Sequence, residues 1–263
     1  MMKSVGKVYL VGAGPGDPEL LTLKAVRALE QAEAIVYDRL VSEAILSMRA
    51  PGATLINVGK QPNNHPVPQD EINQLLVNLA QAGRHVVRLK GGDPYIFGRG
   101  SEEAEVLVDA GIPFEVVPGI TAAQGCAARA GVPLTHRGLA TSVRFVTGHC
   151  RANEPLDLDW AGLSDPKTTV VVYMGHASIP QISNQLIGEG RCGSTPVLVI
   201  NNGTLPNERR LLSRLDSVAD EVYARGLEGP VLFVIGEVAA LARRLGNPMA
   251  LEIDEAVQEA VRA

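Results

Sequence analysis

Aromatic residues are scarce in this chain. One Trp, five Tyr and four Phe stand among 263 residues, too few for the base-stacking surface of a single-strand nucleic-acid binder. Positive charge is not in excess either: 24 Lys and Arg face 29 Asp and Glu, a net charge of −5, which argues against a general nucleic-acid binder. The three cysteines, Cys126, Cys150 and Cys192, are odd in number, widely spaced and without a C-x-x-C pair, which excludes a disulfide framework and a structural zinc site. The five histidines form no H-E-x-x-H, and no metal is expected. No apolar run reaches the roughly 18 residues that cross a bilayer. The opening MMKSVGKVYLVGAG turns glycine-rich after one short run, unlike a signal peptide. A cytoplasmic protein without membrane or nucleic-acid partners is the expectation. What the chain does have is 46% hydrophobic residues, enough for one large core or two smaller ones.

Short β-branched runs alternate with amphipathic segments. VYLVG from Val8, AIVYD from Ala34, TLINV from Thr54, HVVRLK and FEVV read as strands. Between them, the stretch from Pro18, Gln69 to Ala82, and the segment opened by Ser101 and Glu102 to Glu105 carry helical spacing. This alternation predicts a mostly parallel sheet covered on both faces. After Ala130 a loop-like stretch leads to RFVTGH, TTVVVYMG, a helix around Ile179 to Ile187, PVLVINNGT and GPVLFVIGEVAAL. The predicted architecture is α/β with two sheets of four or five strands: an N-terminal domain over 1–136, a C-terminal domain over 137–246, and an acidic tail over 247–263 read as a loosely attached helix. Ligands of open parallel sheets bind beyond the carboxyl ends of the strands, and the glycine turns Gly12–Gly16, Gly91–Gly92, Gly119 and Gly175 cluster there. The expected site is a cleft between the two domains.

Each turn has a plain and a functional reading. Gly12-Ala-Gly14-Pro-Gly16-Asp17-Pro18 invites a dinucleotide-binding reading, with Asp38 at the end of the next strand. However, Asp17 stands where the fingerprint wants its third glycine, and an acid there repels a pyrophosphate. The run Gly91-Gly92-Asp93-Pro94-Tyr95-Ile96-Phe97-Gly98-Arg99-Gly100 holds four glycines in ten residues, Gly91, Gly92, Gly98 and Gly100, which implies close backbone approach or positive φ. Thr121, after Pro118 and Gly119, taken alone reads first as a plain helix cap. Between residues 84 and 151 eight Lys/Arg face six Asp/Glu, and from 129 to 151 four arginines (Arg129, Arg137, Arg144, Arg151) meet no acid. A solvated face and a pocket for a carboxylate- or phosphate-bearing ligand both fit that pattern.

Taken together, GAGPGDPELLTLKA, VYDRLVS, GGDPYIFGRGSEE, VVPGITAAQGCAARAGVPLTHR, TGH and VVYMG resemble the tetrapyrrole methylase family, in this order over about residues 5 to 240. The match is closest to the branch that methylates uroporphyrinogen III. The resemblance implies two αβα domains, a homodimer, and methyl transfer from S-adenosylmethionine to carbons 2 and 7 of uroporphyrinogen III, giving precorrin-2 by way of precorrin-1 for sirohaem, cobalamin or haem d1 biosynthesis. It implies cofactor contacts at Pro15, Gly91, Gly92, Asp93, Ile96, Thr121, Ala122, Met174 and Gly203. It implies an acid–base pair of Asp38 and Lys60, and substrate contacts at Arg99, Glu102 and Arg137, with Arg144 and Arg151 added on charge alone. Outside the resemblance, Asp38 reads as a turn residue, Lys60 as a solvated lysine and Met174 as core. A stand-alone methyltransferase, without an added dehydrogenase–chelatase domain, is expected.

Overall fold

The computed structural model describes residues 5–59, 67–149, 156–246 and 251–253. They form two compact units that meet in sequence at Thr121 and Ala122.

The first unit is built on β1 (Val8–Gly12), β2 (Ala34–Tyr37), β3 (Thr54–Asn57), β4 (Val86–Lys90) and β5 (Phe114–Val117). They make one wholly parallel sheet in the order β3-β2-β4-β1-β5. Parallel neighbours need crossovers, supplied here by α1 (Leu23–Gln31), the short α2 (Glu43–Leu46), α3 (Gln69–Gln81) and α4 (Gly100–Asp109). The helix read from Pro18 begins as a 3-10 turn over Pro18–Leu20. It then restarts at Leu23, where the Thr22 hydroxyl accepts the Ala25 N–H at 3.1 Å and caps the new helix. One face of the sheet buries Val11, Ile35, Val87 and Leu89 with Ala25 and Leu29 of α1. The other buries Val8, Leu10, Val36 and Val86 with Leu76 of α3 and Leu107 of α4.

The second unit starts with α5 (Ala122–Arg129), earlier than the 136/137 boundary read from the sequence. The physical reason is packing. Ala123, Cys126 and Ala130 lie in one buried cluster with Val171, Leu198, Ile200 and Leu232, so the α5 stripe belongs to the second core. The strands are β6 (Ser142–Thr147), β7 (Thr168–Tyr173), β8 (Pro196–Asn201), β9 (Arg209–Arg214), β10 (Val231–Ile235) and β11 (Leu251–Ile253). Their order is β11-β9-β8-β10-β7-β6. The helices are α6 (Trp160–Leu163), α7 (Ile179–Gly188), α8 (Val218–Ala224) and α9 (Ala242–Leu245). Helices cover both faces here too, with Ile182, Leu186 and Val222 under one and α5 with Ala242 under the other.

Two expectations fail in this unit. The sheet has six strands and is mixed: β10 runs antiparallel to β7 and β8, and β8 to β9. RRLLSR did not read as a strand because its arginines mask the Leu211–Leu212 pair. In the fold Arg209 forks Glu252 at 3.0 and 3.2 Å, so its charge is matched on the neighbouring strand. The tail reading is corrected over residues 251–253, the rest of the tail lying outside the described residues. Leu251–Ile253 pair parallel with Arg210–Leu212, as a strand and not a helix, because the open edge of β9 offers backbone partners there.

Candidate functional site

In the first unit the carboxyl ends of β1, β4 and β5 interlock through glycine. A Cβ built on Gly12 would stand 2.6 Å from the Gly119 Cα and the Gly92 carbonyl oxygen, and one on Gly119 would stand 2.2 Å from that same oxygen. Gly14 and Gly92 exchange N–H···O bonds at 3.1 and 2.7 Å. The glycines therefore answer first to one another, and through that contact they bring Pro15, Gly91, Gly92, Asp93 and Thr121 to one end of the sheet. Asp17, the acid that spoils the dinucleotide fingerprint, accepts the Glu19 N–H at 3.0 Å and caps the 3-10 turn. Pro15 and Gly91 are half-buried, and Thr121 is buried. Leu40 lies against Gly91, whose Cβ would sit 3.0 Å from it. After β4, Tyr95, Ile96 and Phe97 are exposed, an apolar run at the mouth of the turn.

The second unit gathers another set. The Ala123 N–H donates to the Tyr173 hydroxyl at 3.0 Å, tying the start of α5, and with it Ala122, to the end of β7. Gly203, in the turn after β8, packs on the same helix: a Cβ there would lie 2.3 Å from the Cys126 sulfur. Burial pushes the Cys126 thiol up to about 12, so it serves as packing. Met174 is 51% exposed, which overturns its reading as core.

Backbone strain marks the same turns. The non-glycine residues with left-handed backbone among those described are Phe97, Arg99, Met174, Asn202 and Thr204. All five follow β4, β7 or β8, in the turns that hold Ile96, Met174 and Gly203. Such conformations cost free energy and concentrate where function holds them.

Asp38 follows β2 beside the end of β4. Its Oδ1 accepts from the Arg88 guanidinium at 2.7 Å, and Oδ2 lies 3.9 Å from the Lys90 ammonium. Glu103 of α4 sits beneath, its Oε1 accepting from Arg88 Nε at 2.8 Å, Lys90 Nζ at 2.9 Å and Gln69 Nε2 at 3.2 Å. Arg88 is 2% exposed and Glu103 wholly buried, whereas the Asp38 side chain is 30% exposed. Burial, and next the Arg88 charge, pull the Lys90 ammonium below the usual lysine value. Arg88 pays a burial penalty too, but Asp38 and Glu103 raise its pKa in the balance. The sequence reading missed Arg88, Lys90 and Glu103. The available signal was two cations at i and i+2 in an otherwise apolar strand, one face of a buried β-strand. Lys60 lies outside the described residues.

Among the substrate expectations, Arg99 and Glu102 hold each other through a two-pronged pair at 2.9 and 2.7 Å, exposed at the start of α4. Arg137 is exposed. The basic stretch is less unbalanced in space than in sequence. Arg129 pairs with Glu208 at 3.2 Å and Arg144 with Asp159 at 2.7 Å, so acids from distant segments answer those two. Arg151 lies outside the described residues. No helix among the described residues is long and apolar enough to cross a membrane.

Comparison with known proteins follows the same outline. The family model for tetrapyrrole (corrin/porphyrin) methylases matches residues 7–219. A uroporphyrinogen-III C-methyltransferase of Paracoccus denitrificans is 51% identical over 247 residues, covering 94% of this chain and 86% of that protein. A siroheme synthase of Hahella chejuensis is 52% identical over 93% of this chain but 52% of its own length; the chain spans about half the length of the siroheme synthases it matches. A solved uroporphyrin-III C-methyl transferase from Thermus thermophilus, complexed with S-adenyl homocysteine, is 42% identical with a TM-score of 0.75, covering 90% of this chain and 94% of that one.

Proposed function

The chain belongs to the tetrapyrrole methylase family, and from that membership we propose that it methylates uroporphyrinogen III at carbons 2 and 7 with S-adenosylmethionine as donor, forming precorrin-2 by way of precorrin-1. The observation that carries the reading is the match to the Paracoccus methyltransferase, which runs along nearly all of both chains.

The residues of the turns fit the donor. Gly91 and Gly92 present backbone without side chains, Ile96 offers an exposed apolar surface, and no acid-free phosphate cradle is needed for a sulfonium compound. In the first unit Pro15, Gly91, Gly92, Asp93, Ile96 and Thr121 would hold it. Ala122, Met174 and Gly203 complete the proposed contacts. When bound, the donor supplies an electrophilic methyl group to a nucleophilic pyrrole carbon. The protein's part is to orient the macrocycle and to receive the proton that the methylated ring gives up. Asp38 is the proposed acceptor: it is the member of the buried charge cluster that reaches solvent, and Arg88 fixes its carboxylate. Lys60 is its proposed partner. Arg137 and the Arg99–Glu102 pair are the proposed contacts for a substrate with eight carboxylates. A homodimer is the proposed working form, in the cytoplasm, feeding sirohaem, cobalamin or haem d1 synthesis.

The test is anaerobic incubation of the purified protein with S-adenosylmethionine and uroporphyrinogen III, read by product mass. A gain of two methyl groups, with matching S-adenosylhomocysteine, supports the proposal. Donor binding without transfer keeps the family and moves the substrate.

A further inference from the structure

Between β8 and β9 the chain turns twice. The Leu205 N–H donates to the Asn202 carbonyl and the Glu208 N–H to the Leu205 carbonyl, each at 3.1 Å. Pro206 and Asn207 occupy the two central positions of the second turn, where both residue types are favoured. That turn brings Glu208 back to Thr204, and Glu208 Oε2 accepts the Thr204 N–H at 2.5 Å. The same oxygen lies 3.2 Å from Arg129 Nε of α5, while Oε1 accepts from the Arg210 guanidinium of β9. One carboxylate, on a side chain 8% exposed, thus joins a turn, a helix and a strand.

The turn held in this way is strained. Asn202 and Thr204 have left-handed backbone, with φ of 50° and 68°. Gly203 between them has no room for a side chain, since a Cβ there would lie 2.3 Å from the Cys126 sulfur. Such conformations persist where the surroundings over-determine them. The peptide that joins Gly203 to Thr204 is planar and trans, so its carbonyl and its N–H point in opposite directions. Fixing the Thr204 N–H on Glu208 therefore aims the Gly203 carbonyl the other way. Among the described residues no hydrogen bond ends on that carbonyl, and Gly203 is half-buried. The carbonyl is left as an acceptor with a set direction.

We infer that Glu208 is a positioning residue for the methyl donor: by holding the Thr204 N–H it directs the Gly203 carbonyl at an N–H or O–H group of the bound S-adenosyl compound. The inference rests on the proposed donor contact at Gly203. Two properties of Glu208 are separable. Its charge answers Arg129 and Arg210, whose long side chains can follow a displaced carboxylate. Its reach answers Thr204, a backbone group that cannot follow. Glu208→Asp keeps the charge and withdraws the oxygens by one methylene. Glu208→Gln keeps an oxygen within reach of Thr204 but turns an amide nitrogen toward Arg210 and removes the charge. Arg210 is buried, and a buried charge left without its partner destabilises the fold.

The experiment compares the full chain as wild type, Glu208→Asp and Glu208→Gln. S-adenosylhomocysteine affinity is measured by calorimetric titration, with amide hydrogen exchange over residues 203–208 and thermal unfolding alongside. In Glu208→Asp the ligand should bind about tenfold more weakly, as for one lost hydrogen bond, and Thr204 should exchange faster. In Glu208→Gln the unfolding temperature should fall further than in Glu208→Asp, with affinity close to wild type. A merely structural role gives the reverse order, because binding would then follow stability. Wild-type affinity in Glu208→Asp overturns the inference, and exchange shows at which step. Fast exchange with intact binding removes Gly203 from the donor site, so the proposed contact is what fails. Slow exchange shows that Glu208 does not hold the turn. Equal weakening in both variants traces the effect to charge and overturns the inference too. If Glu208→Gln does not fold, Glu208→Asp decides alone; a Glu208→Asp that does not fold assigns the carboxylate to stability and overturns the inference.

Discussion

Asp93, in the turn after β4, reaches across β1 to the end of β5, where its Oδ2 accepts the backbone N–H of Gly119 at 3.0 Å. Its other oxygen accepts the Tyr95 N–H at 2.8 Å. One carboxylate thus joins two of the turns and shapes its own. Asp93 carries an architectural duty whatever ligand it also meets.

Asp93→Ala should therefore reduce stability as well as donor affinity. Leaving the part-buried Gly119 N–H without its partner costs about 1–2 kcal/mol, and the loosened turn should weaken S-adenosylhomocysteine binding. Urea unfolding and calorimetric titration measure the two effects. Weakened binding at full stability would give Asp93 a ligand role alone.

Two glycines should respond in opposite ways to alanine. At Gly119 the new methyl would stand 2.2 Å from a backbone oxygen, so Gly119→Ala should destabilise by about 1–3 kcal/mol, as overpacking does. Gly188 ends α7 with nothing within 4 Å of a built Cβ. Gly188→Ala should be neutral or stabilise by up to about 1 kcal/mol. Similar melting shifts for the two would contradict the interlock.

The arginines should separate by their existing partners. Arg144 is already paired with Asp159, whereas Arg137 is exposed in a turn. Under the proposed function, Arg137→Ala should raise KM for uroporphyrinogen III about tenfold, in line with one lost charge-assisted hydrogen bond. Arg144→Ala should leave it near the wild-type value. Steady-state kinetics on both variants decides, and an equal rise in KM would void the distinction.

Glu115 predicts an acid-sensitive contribution to stability. Hydrogen bonds from Lys24 and then Lys7 hold its carboxyl down at about 2, against an ordinary 4.5. Because the folded state lowers this pKa, the contribution is complete above 4.5 and is lost as pH falls toward about 2. Glu115→Gln should flatten the wild-type slope across that window, and added salt should do the same because the pair is partly exposed. Parallel pH–stability curves for the two proteins would count against it.

Much of the molecule was determined by local sequence. The β-branched runs at Val8, Ala34, Val86 and Thr168 became strands, and Gln69 and Ile179 opened helices close to where their periodicity placed them, because each segment's apolar pattern matches one regular structure and not another. The order of glycine turns was enough to suggest the family before any fold was known. Only the tertiary structure decided the rest. RRLLSR and Leu251–Ile253 are strands because neighbouring edges pair with them, and α5 joined the second unit because its small-residue stripe met that core. The acid-free arginine stretch found its acids at Asp159 and Glu208, charges that sequence distance hides. Arg88, Lys90 and Glu103 looked like ordinary charged residues until β4 was placed at the centre of a parallel sheet with α4 above it. Local patterns record what a segment can form, whereas burial and charge partnership depend on which distant segments arrive beside it.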